Sequence, residues 1–170
     1  ESELKRVDIH EGLDSTLLIL DNRLQSNAEN FSIQVIKEYS NLPKIECYAS
    51  ELNQVFMNIL MNAIDALDTK RIKRDLKEGA TLPYILISTK VLDKNCVTVS
   101  IYDNGSGMIE NIRNKIFEPF FTTKPVGKGT GLGLYMSYQT VVQKHRGKIK
   151  CISAKNQSTE LIIQLPISQN

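Results

Sequence analysis

The sequence predicts an α+β fold in which α-helices cover one face of a mixed, mostly antiparallel β-sheet. Apolar residues recur at helical spacing in three segments, and six short runs have the composition or alternation of strands. Short turns join most neighbouring strands, as in antiparallel hairpins. The chain has 170 residues, 41% of them hydrophobic and 24% charged. These values suit one globular domain over residues 1–170.

The N-terminal part of the chain is predicted to form one helix and two strands. The helix covers residues 7–26, and the strands cover 32–39 and 45–48 with a turn at Pro43 between them. The apolar stripe of the helix has steps of three and four residues and consists of Ile9, Leu13, Leu17, Leu20 and Leu24.

The middle of the chain is predicted to form a long helix and a hairpin. The helix covers 51–67, and Ser50 suits its N-cap. The charged segment 68–79 either extends this helix or forms a loop. Strands at 84–92 and 96–102 follow, and the second alternates between two faces.

The last third begins with an irregular segment over residues 103–130, rich in glycine and proline. An irregular segment of this length is usually functional or disordered. A helix over 131–145 follows, and strands at 148–153 and 160–165 complete the fold.

Charge and cysteine content exclude several classes of protein. The 21 basic and 19 acidic residues give a net charge of +2, too balanced for a nucleic-acid or membrane surface. Cys47, Cys96 and Cys151 lack metal-ligand spacing and are interpreted as small core residues in a reducing compartment. No apolar run or leader of membrane or secreted proteins is recognised, and the start at Glu1 suggests a fragment of a longer protein.

A narrow polar stripe on the helix over 51–67 contains Asn58 and Asn62. They are one turn apart, so their amides point the same way. Amide oxygens suit Mg²⁺ when waters and phosphates complete its ligand shell. The alternative is an ordinary solvated helix face, and two asparagines alone do not separate these interpretations.

Two glycine-containing segments have the composition of ligand-binding loops. Asp103 ends a strand and enters the turn 103–108, where its carboxylate can accept a hydrogen bond from an exocyclic amine such as that of adenine. Four alternating glycines in 127–134 precede a helix, where backbone N–H groups favour phosphate. The alternatives are a simple hairpin turn for the first segment and a flexible linker for the second.

Three of the five phenylalanines fall within residues 117–121, inside the irregular segment. Aromatic anchors in a polar loop suggest a lid that packs down in one state and lifts in another, and the alternative is a small satellite core. Lys124 and Lys128 follow them. These two side chains are candidates to neutralise phosphate charge, or else ordinary solvated lysines.

These segments, in this order, resemble the catalytic domain of sensor histidine kinases, within a wider group of ATPases that includes gyrase, heat-shock chaperones and mismatch-repair proteins. The similar motifs are the N box at Asn58–Asn62, the first glycine box at Asp103–Gly107, the F box at Phe117–Phe121 and the second glycine box at Gly129–Gly133. The resemblance covers nearly all of residues 30–166. It implies a two-layer sandwich with three helices on one face of the sheet. ATP would lie between the N-box helix and a flexible ATP lid over residues 104–130.

The resemblance also implies roles for single residues. Asn62 would be an Mg²⁺ ligand, Asn58 would assist at the metal or its water, and Asp103 would bind the adenine amine. Asn58 and Lys124 are the expected catalytic residues. Lys124 and Lys128 would neutralise the charge of the phosphates. The other residues that it places against ATP are Gly105, Gly107, Phe117, Gly129, Thr130, Gly131, Leu132, Gly133 and Thr159.

Asn58 distinguishes two branches of this group. In members that hydrolyse ATP or phosphorylate serine, the resemblance places a glutamate here as general base, and an amide cannot take up a proton. Asn58 therefore favours transfer to histidine, whose neutral nitrogen is already a nucleophile. The alternatives are an ATPase or serine/threonine kinase of the same fold, and a non-catalytic nucleotide-sensing module.

The resemblance implies that the phospho-acceptor histidine lies on another domain. His10 and His145 follow no acceptor motif and are interpreted as structural, and Asp65 stands where many members have a basic residue. The expected partners are a dimerisation domain of the parent protein, reached through the helix in residues 1–26, and a response regulator receiver domain. The expected location is the cytoplasm, with no nucleic-acid or membrane contact by this domain.

Overall fold

The computed structural model describes residues 3–124 and 131–170, which form seven strands and five α-helices. The strands are β1 (Leu4–Val7), β2 (Gln34–Tyr39), β3 (Ile45–Tyr48), β4 (Tyr84–Leu92), β5 (Cys96–Asp103), β6 (Lys148–Ser153) and β7 (Thr159–Pro166). The helices are α1 (Ile9–Ile19), α2 (Asp21–Leu24), α3 (Ala49–Leu67), α4 (Glu110–Arg113) and α5 (Gly133–Tyr138). A 3₁₀ turn covers Lys73–Asp75, and a π-helical segment, Gln139–Lys144, continues α5.

The main sheet has five strands in the order β2-β4-β5-β7-β6. β2 and β4 are parallel, and the other neighbours are antiparallel. In the register, Ile87 lies opposite Ile101 and Val99 opposite Ile163, and all four side chains are buried. Period-two alternation therefore directs one face of the sheet toward the helices. The predicted α+β class and the mixed, mostly antiparallel sheet are confirmed.

The N-terminal region differs from its prediction. The predicted helix over 7–26 is two helices that meet at Leu20, and residues 4–7 before them form the unpredicted strand β1. β1 pairs antiparallel with β3 in a separate two-stranded sheet, so β3 does not join the main sheet. Three of the four β1 residues are exposed, so the sequence lacks the alternation that marks a strand. Asp8 caps α1 by accepting a hydrogen bond from the His10 N–H.

The core is built around α3, as its apolar stripe predicts. Helix α3 begins at Ala49, with Tyr48 at the N-cap position and no side-chain cap, so the assignment of Ser50 as cap is wrong. Full burial of a valine, leucine, isoleucine or phenylalanine side chain stabilises a fold by roughly 1.5–3 kcal/mol. The buried side chains of α3 are Leu52, Val55, Phe56, Ile59, Leu60, Ala63, Ile64 and Leu67.

The segment after α3 is a loop with one 3₁₀ turn rather than a longer helix. Arg71 is buried there, and its guanidinium donates to the backbone carbonyls of Arg23, Gln25 and Phe31. It therefore fixes the connection from α2 to β2. Cys47 is buried and Cys96 and Cys151 are half-buried, and all three thiols are free. Among residues 3–124 and 131–170, no helix is long and apolar enough to cross a membrane.

Candidate functional site

A pocket of about 850 Å³ lies between α3, the ends of β5 and β7, and the segment over 106–124. This volume is within the range of small-molecule sites. Of the predicted site residues, those that line the pocket are Asn58, Asn62, Asp103, Gly107, Lys124, Gly131, Gly133 and Thr159. The fold therefore brings residues that are up to 101 positions apart in the sequence to one cavity.

Asp103 is the buried carboxylate of the pocket. It is the last residue of β5 and 3% exposed, and its Oδ1 accepts a hydrogen bond from the Gly105 N–H at 2.9 Å. Burial raises the pKa of Asp103 to about 6, although the bond from Gly105 lowers it. A hydrogen-bond donor on a ligand would compensate this desolvation, so the position is suited to an exocyclic amine.

The turn after Asp103 packs tightly on the rest of the fold. A Cβ at Gly105 would lie 2.8 Å from the Ala66 carbonyl oxygen, and one at Gly107, where φ is +69°, would lie 2.0 Å from the Ala154 carbonyl oxygen. Both positions therefore require glycine. Gly107 lines the pocket, whereas Gly105 is absent from its lining and acts by letting α3 approach the turn.

Thr159 lies directly opposite Asp103 in the register of β5 and β7. Its hydroxyl is 2.8 Å from that of Ser153, which also accepts a hydrogen bond from the Met108 N–H. The weak sequence match of Thr159 thus corresponds to a residue in the pocket, and Ser153 links it to the turn.

Asn58 and Asn62 face the pocket from α3, but in different ways. The Asn58 amide donates to the Gly133 carbonyl at 3.1 Å and to the Ser137 hydroxyl at 3.3 Å, and its oxygen accepts from Gln54 at 3.0 Å. Asn58 therefore joins α3 to α5. Asn62 makes no hydrogen bond through its side chain to the described part of the chain, so its amide is free to meet a ligand.

Asp65 and Lys124 form an ion pair at the edge of the pocket. The Lys124 Nζ lies 2.5 Å from Asp65 Oδ2, and the Arg23 Nη2 lies 2.9 Å from Asp65 Oδ1. Partial burial raises the pKa of Asp65, but the bonds from Lys124 and Arg23 outweigh it and hold the pKa below its usual value. Asp65 is thus an anion with a cation on each oxygen.

The aromatic segment is divided between the pocket and the surface. Phe121 lines the pocket, Phe120 is 74% exposed, and Phe117 packs on Tyr138 at 5.9 Å between ring centroids. Phe117, expected to contact ATP, is therefore absent from the pocket lining. Gly131 has φ +72°, and a Cβ there would lie 2.3 Å from the Phe120 carbonyl carbon. Glycine at this position therefore lets the chain just before α5 contact the backbone of the aromatic segment.

Four other predicted residues do not contribute described contacts to the pocket. Lys128, Gly129 and Thr130 lie outside the residues that the structure describes. Leu132 precedes α5 at its N-cap position and is absent from the pocket lining. The phosphate-binding role expected of this segment therefore remains a prediction.

Sequence motifs missed the apolar walls and one cation of the pocket. Ile101 and Leu161 pair across β5 and β7, and with Met108 and Ile112 they give the cavity an apolar surface. Lys155, in the turn between β6 and β7, adds a positive charge at its edge. Only the alternation of β5 and β7 could have indicated the apolar pair, because the other residues come together through tertiary packing.

Both histidines are held by structural contacts. His145 is fully buried, with its Nδ1 2.8 Å from the Thr140 carbonyl oxygen and its Nε2 accepting from the Tyr48 N–H at 3.0 Å. His10 stacks on Tyr39 and lies 2.7 Å from the Thr89 hydroxyl. Within the described residues, no cluster of three or more His, Cys, Asp or Glu side chains could hold a metal ion.

Comparison with known proteins gives consistent matches. The family model described as "Histidine kinase-, DNA gyrase B-, and HSP90-like ATPase" matches residues 47–169. Sporulation kinase E of Bacillus subtilis is 36% identical over 146 residues, and the signal transduction histidine-protein kinase AtoS of Escherichia coli is 31% identical over 168 residues. These alignments cover 86% and 98% of this chain but only 18% and 24% of those relatives.

A solved structure matches over nearly the whole chain. The nucleotide-free catalytic domain of histidine kinase ThkA superposes with a TM-score of 0.77 at 25% identity, over 98% of this chain and 99% of that one. The match confirms the two-layer α+β fold, with the helices on one face of the sheet.

Proposed function

Since the chain belongs to the family of histidine kinase-, DNA gyrase B- and HSP90-like ATPases, we propose that it is the ATP-binding catalytic domain of a sensor histidine kinase. It binds Mg-ATP and delivers the γ-phosphoryl group to a histidine outside this chain. The observation that carries the proposal is the buried Asp103 carboxylate in an apolar pocket of about 850 Å³, faced by the free Asn62 amide.

The pocket fits an adenine nucleotide. Ile101, Leu161 and Met108 provide an apolar surface for a purine ring, and Asp103 provides an acceptor for its exocyclic amine. Guanine has a carbonyl at the corresponding position, and two acceptors cannot form a hydrogen bond. The pocket should therefore select adenine over guanine.

The residues on α3 fit the phosphate side of the nucleotide. Asn62 would hold Mg²⁺ through its amide oxygen, with waters and phosphate oxygens completing the shell. When bound, the metal supplies charge neutralisation to the phosphates. The Asn58 oxygen already accepts from Gln54, so Asn58 is better placed to hold α5 against α3 than to act as a second ligand. Lys124 adds a cation at the pocket edge.

In the proposed reaction, a neutral imidazole nitrogen attacks the γ-phosphorus, the P–N bond forms, and the bond to the β-phosphate oxygen breaks to release ADP. The acceptor nitrogen brings a lone pair, so no residue of this chain must take a proton before attack. Asn58 fits this chemistry because its amide cannot act as a general base for water. The chain contributes positioning and charge, as phosphoryl transfer requires.

The partners in this proposal are a histidine-bearing dimerisation domain of the parent protein and a response regulator receiver domain that later takes the phosphoryl group. The names of the curated relatives, a sporulation kinase and a signal transduction histidine-protein kinase, support this assignment. The proposed location is the cytoplasm, where ATP is available.

Calorimetric titration with a non-hydrolysable ATP analogue, with and without Mg²⁺, tests the proposal. We expect Mg²⁺-dependent binding to the wild type and at least tenfold weaker binding of the matching GTP analogue, the effect of about 1.4 kcal/mol from one mismatched hydrogen bond. Asn62→Ala should lose the Mg²⁺ dependence. Asn53→Ala, on an exposed part of the same helix, is the matched control. Equal affinity for both analogues would overturn the adenine assignment.

Phosphoryl transfer itself is tested by adding a histidine-bearing dimerisation domain from a relative. Acid-labile, alkali-stable phosphate on that domain is expected, and Asn62→Ala should abolish it. Nucleotide binding followed only by slow release of inorganic phosphate would favour an ATPase instead.

A further inference from the structure

We propose that Asp65 is a positioning residue, which holds the Lys124 ammonium at the pocket edge where the nucleotide phosphates bind. The inference rests on the proposed function, because it assigns a role within the same site. It concerns a residue that does not itself touch the nucleotide but acts through Lys124.

The contacts of Asp65 join two other parts of the fold to α3. Its two oxygens bind different elements, with Lys124 from the segment after the aromatic residues on Oδ2 and Arg23 from α2 on Oδ1. Arg23 prevents the carboxylate from turning away, so the oxygen that meets Lys124 is fixed. The side chain of Asp65 is 25% exposed and that of Lys124 is 36% exposed, so both charges are partly shielded from water.

The placement of the pair relates it to the phosphates rather than to the adenine. Asp65 follows Asn62 by three residues on α3, so both side chains lie on one side of the helix, and both line the pocket with Lys124. Among the described residues that line the pocket, the cations are Lys124 and Lys155. Lys155 lies on the β6–β7 turn, near Asp103 and Thr159. Lys124 is therefore the pocket-lining cation that pairs with α3 one turn from the proposed metal ligand.

Holding a lysine in advance has a physical benefit. A free lysine side chain loses rotamer entropy when a ligand fixes it. Asp65 imposes much of that order before the nucleotide arrives, and the Lys124 N–H bond to the Thr122 hydroxyl at 3.0 Å fixes the start of the side chain. Asp68 lies 3.9 Å from Arg23 and offsets its charge, so the attraction for phosphate comes from the Lys124 ammonium, which lines the pocket.

Titration of the 170-residue chain with a non-hydrolysable ATP analogue and with AMP tests the proposal. Asp65→Asn and Lys124→Ala should each lower the affinity for the ATP analogue about fivefold, the order expected of one partly exposed ion pair. The affinity for AMP should change by no more than about twofold. Because they remove the same interaction, the double variant should also lose about fivefold rather than about 25-fold. Asp65→Glu should restore most of the affinity. Asp68→Asn, one turn beyond Asp65 and also near Arg23, is the matched control.

The outcomes separate this inference from the proposed function. Tighter binding of the ATP analogue by Asp65→Asn would show that Asp65 competes with phosphate for Lys124, and would overturn the inference. Equal losses for the ATP analogue and AMP would show a purely structural role through Arg23, and would also overturn it. If the wild type bound neither nucleotide, the proposed function itself would fail.

Discussion

At the scale of single residues, Asp103 combines a cost to stability with a proposed role in binding. Its carboxylate is 3% exposed and faces an apolar cavity, with the Gly105 N–H as its described hydrogen-bond donor. A group chosen for stability alone would be neutral here. An ionised acceptor is instead suited to the amine of a purine. The sequence could indicate Asp103 because it ends a strand before glycine, but its burial depends on the fold.

We predict that Asp103→Asn stabilises the fold at neutral pH. The pKa of Asp103 is raised to about 6 from 3.8, so the folded state binds more protons than the unfolded state between these values. Wild-type stability should therefore fall, relative to the variant, as pH rises from about 4 to about 6, and level off above. Urea unfolding should show a gain of about 1–3 kcal/mol at pH 7.5 and much less at pH 4.

The same variant should lose at least tenfold in affinity for the ATP analogue, because an asparagine amide is a weaker acceptor than a carboxylate. A gain in stability that does not change with pH would contradict the assigned pKa. Unchanged nucleotide affinity would contradict the amine contact.

At the scale of secondary-structure elements, patterns with a strong period predicted the structure well. The eight buried residues of α3 lie on the apolar stripe of its sequence, and β4 and β5 fall where predicted. Two features escaped prediction for physical reasons. β1 is stabilised by pairing with β3 rather than by an alternation in its own sequence. The π-helical segment after Tyr138 has no sequence signature that would separate it from an α-helix.

The turn between β5 and α4 depends on Gly107, and we predict that Gly107→Ala disrupts it. A Cβ would meet the carbonyl oxygens of Ala154 and Gln157 at 2.0 and 2.5 Å, in a backbone with φ +69°. We expect a loss of about 2–4 kcal/mol in urea unfolding, since the backbone strain and the overlap add. Nucleotide affinity should fall as well, because Gly107 lines the pocket.

Gly79 provides the matched control for this prediction. Its φ is +79°, but nothing lies within 4 Å of a Cβ built there. Gly79→Ala should therefore cost only the backbone strain, about 1 kcal/mol. Equal losses for the two variants would show that close packing of the turn is unimportant.

At the scale of the whole molecule, the pocket depends on contacts between elements that are distant in sequence. Asn58 fastens α3 to α5, and Gly105 lets α3 approach the end of β5. The order of short motifs indicated five polar residues that line the pocket, because each lies in a short local pattern: Asn58, Asn62, Asp103, Lys124 and Thr159. It could not predict the ion pair of Asp65 with Lys124, since these residues are 59 positions apart and meet only in the fold.

His145 contacts both the helix layer and the C-terminal segment, and we predict that its role is structural. Its ring bonds the backbone of Tyr48 before α3 and of Thr140 in the π-helical segment, and its carbonyl accepts from Gln169. His145→Ala would leave a cavity and an unpaired buried N–H. We therefore expect a loss of about 3–5 kcal/mol in urea unfolding, against about 1 kcal/mol for His10→Ala, whose ring is half-buried. After incubation with Mg-ATP, mass spectrometry should find neither histidine phosphorylated. Phosphate on His145 would require the ring to leave its buried position, and would contradict an acceptor on another domain.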